Sequence, residues 1–256
     1  MVEIYTNEPI EKPVKKAKKN SKLFACFWAV VYASLTIGLC LSGTWAFTKF
    51  YYYPIYVSGP SMEPTLNGGT RTDDGRFDFG YIDTHQIAID SINRFDIVTT
   101  FYPFASEDYT QPFVKGNESL ETAKRKIKRV IGLPGDTLTI RKNSLYLLDK
   151  ETNTETLCEL PFDVWNSDTP GYERFNVVDF KTKGYGDENG WLTLAEDEYW
   201  VMGDNWIGSR DCYSDTRGGP IYKENIVGVL IAIVGTCLVK NETIYDKQYT
   251  LPRFFK

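Results

Sequence analysis

The sequence predicts a mainly β protein preceded by one N-terminal transmembrane helix, and three observations carry this prediction. Residues 23–48 form an apolar run without a charged side chain. Beyond it, short β-branched and aromatic runs alternate with turn residues, which is typical of strands. A polar, turn-rich stretch at residues 143–198 interrupts this pattern, and we interpret it as a small insertion subdomain within the β core.

The apolar run is long enough to cross a membrane. At roughly 1.5 Å per residue, a helix over residues 23–48 spans more than the roughly 30 Å hydrocarbon core of a bilayer. The apolar part of a cleaved secretory signal has only about 7–15 residues, so a retained transmembrane helix is the better interpretation.

The charges around this run predict its orientation and its surroundings. Residues 1–22 hold six lysines and three glutamates, a net charge of +3, so the rest of the chain must carry −8 to give the total of −5. Because basic flanks stay in the cytoplasm, we predict a cytoplasmic tail at 1–22 and an extracytoplasmic part from Lys49 onward. A basic tail on an acidic body favours a lipid bilayer rather than nucleic acid as the partner.

The rest of the chain contains five runs typical of β-strands: residues 55–57, 95–101, 127–131, 137–148 and 199–202. The run at 137–148 predicts a hairpin that turns at Lys142-Asn143-Ser144. A second apolar run at 226–239 is too short for a comfortable span and contains glycine, so it predicts a long buried strand. We therefore assign a β core to residues 49–142 and 199–256, and expect a polar loop at 104–124.

The rare side chains exclude several kinds of site. His85 is the single histidine, so a zinc site with two or more histidines is excluded and a Ser-His-Asp triad would have to use this residue. It lies in a polar stretch without an obvious partner, and we interpret it as a surface residue. The five cysteines show no CxxC pair, so no disulfide framework is indicated, although one pair among Cys158, Cys212 and Cys237 stays open.

Ser61 is a candidate nucleophile because it lies in a turn rich in glycine and proline. The segment SGPSMEPTL follows a short predicted strand. A tight turn here could present the hydroxyl and leave backbone N–H groups for a tetrahedral oxyanion. An ordinary turn at the end of a strand explains the same pattern.

Lys128 is a candidate base if it is buried. Alternation along its strand places Lys128 on the same face as Val130, while Arg129 points the other way, toward water. Burial disfavours the charged form and would lower the pKa of the lysine from roughly 10.4 toward a useful range. A solvated basic patch explains the same sequence, since residues 124–126 are also basic.

Taken together, these segments resemble bacterial type I signal peptidases. SMEPTL resembles the nucleophile box of that family, FDIV its strand box, KRVIGLPGD its lysine box, and GDN with the following serine and DTR its last box. Their order and spacing match over residues 23 to about 235. The resemblance implies a membrane-bound serine endopeptidase, without a cofactor, that removes signal peptides with small residues at positions −1 and −3 from exported preproteins.

The resemblance also implies roles for individual residues. Ser61 would be the nucleophile and Lys128 the general base. Ser209 matches the serine that orients the lysine. Gly59 stands where some members carry a serine that assists the oxyanion hole, so backbone donors would have to serve here. The substrate would bind as an added strand, against pocket walls formed by three apolar residues: Met62, Leu66 and Ile127.

The last box departs from the family pattern. Asp204 matches its acidic residue, but the stretch SRDCYSDTR reads like an insertion of a few residues. The structural aspartate is therefore either Asp211 or Asp215, with Arg217 as its best partner, and Ser214 is an alternative to Ser209. Phe95 replaces a glycine of the strand box, and we expect this change to affect packing only.

Three other functions share features with this one. A self-cleaving repressor uses the same Ser/Lys chemistry, but it should carry a DNA-binding motif and no membrane span. A non-catalytic relative that assists the assembly of surface structures should have lost the serine or the lysine. A specialised signal peptidase that serves one substrate set, such as pilins, stays open because of the altered last box and the long loop at 104–124.

Overall fold

The structure is a computed structural model that describes residues 20–70, 74–101, 125–214 and 219–255. The predicted loop at 104–124 and residues 1–19 of the predicted cytoplasmic tail therefore lie outside the described residues, as do Asp215 and Arg217 of the last box. The chain divides into two units, Met1–Phe50 and Tyr51–Lys256.

The described part of the first unit is the helix α1 (Asn20–Tyr51), whose last residue already belongs to the second unit. Its stretch Lys22–Ala46 is long and apolar enough to cross a membrane, and none of it is buried within the protein. Its hydroxyl groups bond back to carbonyls one turn earlier, as Thr36 Oγ1 donates to Tyr32 O over 2.8 Å and Thr44 Oγ1 to Cys40 O over 2.8 Å. These polar groups therefore need no water, as a position in lipid requires.

The second unit is rich in strands. In chain order they are β1 (Tyr52–Tyr56), β2 (Phe77–Asp83), β3 (Ile97–Phe101), β4 (Arg125–Gly132), β5 (Thr137–Arg141), β6 (Ser144–Asp149), β7 (Thr154–Cys158), β8 (Leu192–Thr193), β9 (Glu198–Met202), β10 (Ile221–Tyr222), β11 (Ile226–Lys240) and β12 (Thr243–Phe254). The short helices α2 (Gln86–Asp90) and α3 (Phe180–Lys183) lie between them. The prediction of a mainly β fold is confirmed.

The larger sheet has the strand order β1-β2-β11-β3-β4-β9-β10, and β12 pairs with β11. All of its pairings are antiparallel. The long buried strand predicted at 226–239 is β11, which pairs with β3 near its start, with β2 in its middle and with β12 toward its end. It thereby lies between β2, which pairs with the strand that leads to Ser61, and β3, which pairs with the strand that carries Lys128.

The smaller sheet has the order β7-β6-β5-β8. The predicted hairpin within 137–148 is formed by β5 and β6, and its turn has positive φ at Lys142 (49°) and Asn143 (64°). Two such residues make the tight turn that matches the twist of an antiparallel pair. The sheet begins with β5, whereas the start of the insertion subdomain at residue 143 stays a prediction.

Two apolar clusters form the core of the second unit. The larger one extends from β3, β4 and β9 to β5, β6 and α3, with Trp200 and Phe180 fully buried in it. The smaller one lies around the segment that carries Ser61. It consists of seven buried residues: Val57, Met62, Leu66, Ile82, Ile97, Leu230 and Ile233. Burial of large apolar side chains at this place fixes the backbone on which the candidate nucleophile stands.

Candidate active site

Ser61 stands on a short 3₁₀ helix, Pro60–Met62, just beyond β1. The turn into this helix passes through Gly59, whose φ of 85° and ψ of 165° lie in a region that only glycine adopts readily. Proline at the first helical position supports the same turn, because its fixed φ suits the start of a helix. The glycine and proline of the sequence are thus explained by the turn that presents Ser61.

Both ends of the segment of residues 57–67, here called the nucleophile segment, are hydrogen-bonded to Asp78 on β2. Val57 N donates to Asp78 O over 2.9 Å, and Asp78 N donates to Asn67 O over 2.9 Å. Gly59 N donates to Gly68 O over 3.0 Å, so the amide of Gly59 is already used and does not face an oxyanion. The amide of Ser61 is a better donor candidate, since the first amides of a helix have no partner within it.

Lys128 lies on β4 directly beside this helix. Its Nζ is 2.7 Å from Ser61 Oγ, and only 2% of the residue is exposed. Burial lowers the pKa of Lys128 from 10.5 to about 8, while the negative charges of Asp211 and Asp204 oppose that change and the positive charge of Lys126 adds to it. With such a pKa, roughly one lysine in ten is neutral at pH 7, and neutral lysine can accept a proton.

Arg129, the next residue on β4, does not point toward water, so this prediction is wrong. Arg129 is 6% exposed and Asp204 is 1% exposed. Arg129 Nε donates to Asp204 Oδ1 over 2.8 Å and Nη2 donates to Asp204 Oδ2 over 2.6 Å. Both faces of this central strand are covered, and a buried charge has to be paired, so the opposite face of the strand holds a buried ion pair.

The ion pair of Arg129 and Asp204 links the strand to the nucleophile segment. Thr65 Oγ1 donates to Asp204 Oδ2 over 2.5 Å, and Arg129 Nη1 donates to Phe95 O over 2.9 Å. The guanidinium carbon of Arg129 lies 3.8 Å from the centre of the Phe162 ring, which covers the pair. Asp204 therefore connects Arg129 on β4 to Thr65 in the nucleophile segment and holds the two in place.

Phe95 is held in an unusual backbone conformation. Its φ is 76°, in the left-handed region that glycine adopts freely and a phenylalanine adopts at a cost. Phe95 N donates to Val130 O over 2.7 Å and its ring packs edge-on against Phe162. The expectation that replacing glycine here affects packing only is therefore wrong, because the backbone conformation also carries a cost.

Asn205 is the residue that sequence reasoning missed. Its backbone N donates to Ser61 O over 3.1 Å, and its Nδ2 donates to Pro60 O over 3.1 Å. Its own Oδ1 accepts from Gly208 N over 2.8 Å, which fixes the orientation of the side chain. Asn205 holds the carbonyl groups on either side of the Ser61 amide. The GDN turn at residues 203–205 predicted a polar loop near the site, but a turn motif alone does not show which segment its asparagine contacts.

The remaining residues of the last box surround the turn after β9. Asp211 is buried and accepts from Gly203 N over 2.9 Å and from Tyr213 N over 3.0 Å. Ser214 Oγ accepts from Asp211 N over 2.7 Å, a local contact within this turn. Because Asp215 and Arg217 lie outside the described residues, the choice between Asp211 and Asp215 stays a prediction.

Ser209 is close to the site but does not bond the lysine. Its Oγ is buried and has no hydrogen-bond partner in the described part of the chain. Gly203 lies between Ser209 and Ser61 and leaves no room for a side chain. A methyl group at Gly203 would lie 2.5 Å from Ser209 Oγ and 2.1 Å from Ser61 O. The role of Ser209 in orienting Lys128 stays a prediction.

The three predicted pocket walls lie in one apolar cluster. Met62 and Leu66 are completely buried in the smaller cluster, and Ile127 packs against it while staying half-exposed. Of the three, only Ile127 offers surface to a peptide in this structure. Met62 and Leu66 form the support beneath it.

His85 takes no part in these contacts, whereas Cys212 lies in the turn that carries Asp211 and its Sγ accepts from Val201 N over 3.2 Å. His85 has partners that the sequence did not suggest: its ring stacks on Tyr51 at 3.4 Å between centroids, and Nδ1 is 3.0 Å from Asp83 Oδ1. All five cysteines are within the described residues and are free, so the disulfide that the sequence left open is not formed.

Comparisons with known proteins show which family the chain is similar to. The family model described as signal peptidase, peptidase S26, matches residues 27–234. Signal peptidase I V of Bacillus subtilis (strain 168) is 32% identical over 68% of this chain and 80% of its own length. Signal peptidase I P of Bacillus subtilis subsp. natto is 28% identical over 84% of this chain and 90% of its own. A crystal structure of a signal peptidase I from Enterococcus faecalis V583 matches 55% of this chain and 97% of its own, with 24% identity and a TM-score of 0.34. The family model covers most of the chain, and the chain therefore belongs to the signal peptidase family, peptidase S26.

Proposed function

We propose that this protein is a membrane-anchored signal peptidase, a serine endopeptidase that removes N-terminal signal peptides from exported preproteins. Ser61 is its nucleophile and Lys128 its general base. The observation that carries this proposal is the 2.7 Å contact between Lys128 Nζ and Ser61 Oγ, made by a lysine that is buried and has a pKa of about 8. The family match and the apolar helix α1 support the substrate class and the anchor.

The reaction is acyl transfer in two steps. Neutral Lys128 takes the proton of the Ser61 hydroxyl while Oγ bonds to the scissile carbonyl carbon, and the same proton then passes to the leaving amine as the C–N bond breaks. A water molecule then attacks the acyl-enzyme; Lys128 accepts its proton and passes it to Ser61 Oγ as the ester bond breaks, which releases the carboxylate of the signal peptide. No step needs a metal or a nucleotide.

Backbone donors stabilise the tetrahedral intermediate in this proposal. The amide of Ser61 is the donor best placed by its position in the first turn of the 3₁₀ helix. Asn205 holds Ser61 O and Pro60 O, so the peptide groups next to that amide keep their direction. The fixed dipole then needs no reorganisation when the charge develops on the carbonyl oxygen.

The substrate binds as an added strand next to Lys128. The register of β9 with β4 begins at Arg129, so the edge of β4 at Ile127 and Lys128 lies beyond the end of β9. An extended peptide can continue the sheet along that edge, with alternate side chains directed into pockets. Ile127, supported by Met62 and Leu66, walls a shallow pocket that accepts small residues at positions −1 and −3.

The bilayer is the second partner. We place residues 1–22 in the cytoplasm and the unit Tyr51–Lys256 on the outer side, because lysines precede the span. Substrates tethered to the same membrane by their own signal peptides then meet the enzyme at a raised effective concentration.

The test is mass spectrometry of a secretory preprotein incubated with the detergent-solubilised protein at about pH 9, where the lysine is mostly neutral. The wild type should cut once, after a small-x-small sequence. Ser61→Ala and Lys128→Met should leave the preprotein intact. Lys126→Met is the matched control, since it removes a lysine from the same strand without removing the proposed base, and it should still cut.

Two outcomes would contradict parts of the proposal. Cleavage by Lys128→Met at the wild-type rate would exclude Lys128 as the base. An intact preprotein with every variant, including the wild type, would favour the specialised signal peptidase or the non-catalytic relative. A pilin-type precursor then separates these two, because only the specialised enzyme would cut it.

A further inference from the structure

Strand β12 returns to the nucleophile segment although it lies beyond the residues that the family model matches. That match ends at residue 234, and β12 comprises Thr243–Phe254. Its register with β11 places Arg253 opposite Ile233, a residue of the smaller apolar cluster. The end of β12 therefore lies beside the cluster that supports Ser61.

The guanidinium of Arg253 makes two different contacts with its two terminal nitrogens. Nη1 donates to Thr65 O, in the nucleophile segment, over 3.1 Å. Nη2 donates to Asp78 Oδ2, on β2, over 2.5 Å. A planar guanidinium can bridge two acceptors in a fixed geometry, whereas a lysine ammonium acts as a point charge on a flexible stem.

Asp78 is the residue on which the nucleophile segment is closed. Its backbone bonds Val57 and Asn67 at the two ends of the segment, and its carboxylate also accepts from Asn67 N over 2.9 Å. The Asp78 side chain is only 7% exposed, so its charge needs a partner. Arg253 is that partner, and its second bond connects Asp78 to the carbonyl of Thr65.

Thr65 carries this contact onward to the site. Its Oγ1 donates to Asp204, whose carboxylate is held by Arg129 and whose neighbour Asn205 bonds Ser61 O. We propose that Arg253 is a positioning residue that keeps the nucleophile segment, and with it Ser61, in register with Lys128. This inference rests on the proposed function and adds to it a residue outside the family match.

The chain offers a matched control in Arg76, which directly precedes β2 and contacts the hairpin of β11 and β12. Arg76 bonds Asp246 on β12 through Nη1 over 2.8 Å and Thr236 on β11 through Nε over 3.1 Å. These side-chain contacts join the residue before β2 to the hairpin, much as Arg253 joins the hairpin to Asp78 on β2, but they do not involve a carbonyl of the nucleophile segment. A loss of hairpin stability alone should therefore affect both arginines alike.

The experiment compares Arg253→Lys, Arg76→Lys and the wild type as full-length protein in detergent, with a preprotein that the wild type cuts. Arg253→Lys keeps a charge for Asp78 but loses the bridge. We expect kcat to fall about tenfold with KM changed less than about twofold, since a misplaced nucleophile slows the chemical step more than it weakens binding. Arg76→Lys should keep the wild-type kcat. Hydrogen exchange at the Asn67 amide should be faster in Arg253→Lys only.

The double variant Arg253→Met/Asp78→Asn serves if Arg253→Lys does not fold, because it removes both charges together; the same fall in kcat is expected. The inference is overturned if kcat of either folded variant stays within about twofold of the wild type, if only KM changes, or if Arg76→Lys loses as much kcat as Arg253→Lys. A wild type that cuts no preprotein would instead refute the proposed function, so the two failures are distinct.

Discussion

Lys128 can act as a base only while it is neutral, and its burial decides the pH at which this is so. With a pKa of about 8 in the folded protein, the neutral fraction falls about tenfold for each pH unit below that value. We predict that kcat/KM rises with pH through about 8 and falls with unit slope on the acid side. Steady-state cleavage of a preprotein between about pH 5 and 9 measures this dependence directly.

Lys126 gives this prediction a directional control. Its positive charge lowers the pKa of Lys128, so Lys126→Met should move the acid limb of the profile to higher pH. A profile that stays flat down to about pH 5, or a limb that moves to lower pH in this variant, would argue against a lysine base.

Phe95 is predicted to store backbone strain that a glycine would release. Phe95→Gly and Phe95→Ala both remove the ring, but alanine keeps the side-chain carbon that disfavours a φ of 76°. We expect the glycine variant to be more stable than the alanine variant by about 1 kcal/mol, measured by urea unfolding in detergent. Gly is ordinarily the less stable of the two, by about 0.5–1 kcal/mol, so the sign itself is informative.

Phe162 is the control for this pair of substitutions. It contacts the Phe95 ring and is not among the described residues with positive φ. At Phe162 the alanine variant should be the more stable one. If the alanine variant is also the more stable one at position 95, the conformation of Phe95 is not strained.

At this scale the sequence predicted that Ser61 and Lys128 share a site, and the structure brings the two side chains together, but the residues that hold them were not predicted. A hydroxyl after a glycine-proline turn and a lysine on an apolar strand are local patterns, whereas their catalytic roles stay a prediction. Arg129 was misjudged because alternation assigns one strand face to water, although both faces of a central strand can be covered. Asn205 could not be assigned because its partners, Pro60 and Ser61, are remote in sequence.

At the scale of elements, the turn after β9 is predicted to tolerate no side chain at Gly203. A methyl group there would lie 2.1 Å from Ser61 O, so the nucleophile segment would have to move. We expect Gly203→Ala to lower kcat/KM by more than about 100-fold, because an error of about 1 Å in a reacting group has effects of this size. Cleavage assays on protein with a native circular dichroism spectrum provide the measurement.

Gly171→Ala separates displacement from simple backbone strain. Gly171 has a φ of +87° and no atom within 4 Å of the added carbon. This variant should lose some stability and keep its activity. If Gly203→Ala had the same kcat/KM as Gly171→Ala, the close contact between residue 203 and Ser61 O would not affect catalysis.

The elements that the sequence predicted are those with a clear burial pattern or a clear turn. The hairpin of β5 and β6 is specified by its own two-residue turn, and β11 by its length of apolar residues. Strand β12 was not predicted, because nearly all of its residues are exposed and no alternation marks a buried face. It forms because β11 offers it a backbone edge, which is a property of the partner and not of its own sequence.

At the scale of the whole molecule, the proposed orientation predicts that the unit Tyr51–Lys256 is translocated. Asn241-Glu242-Thr243 is an acceptor sequence for N-glycosylation in the exposed turn between β11 and β12. When the chain is synthesised with microsomes, we expect glycosylation at Asn241, seen as a mass shift that Asn241→Gln abolishes. The experiment is done in the Asn117→Gln variant, so that the second acceptor sequence, at Asn117, cannot contribute to the mass shift.

The opposite orientation would give a different pattern. Asn241 would stay unmodified, and a sequon engineered into residues 1–19 would be glycosylated instead. Modification of that engineered site together with an unmodified Asn241 would refute the prediction.

The closure of the nucleophile segment on distant parts of the chain also sets a timetable for biosynthesis. Ser61 leaves the ribosome long before Lys128, and Asn205 follows much later still. At roughly 5–20 residues per second, the interval between Ser61 and Asn205 is on the order of ten seconds. During that time the emerging chain has the proposed nucleophile but neither the proposed base nor Asn205. The proposed mechanism therefore predicts that a nascent chain has no peptidase activity before synthesis has passed the last of these residues.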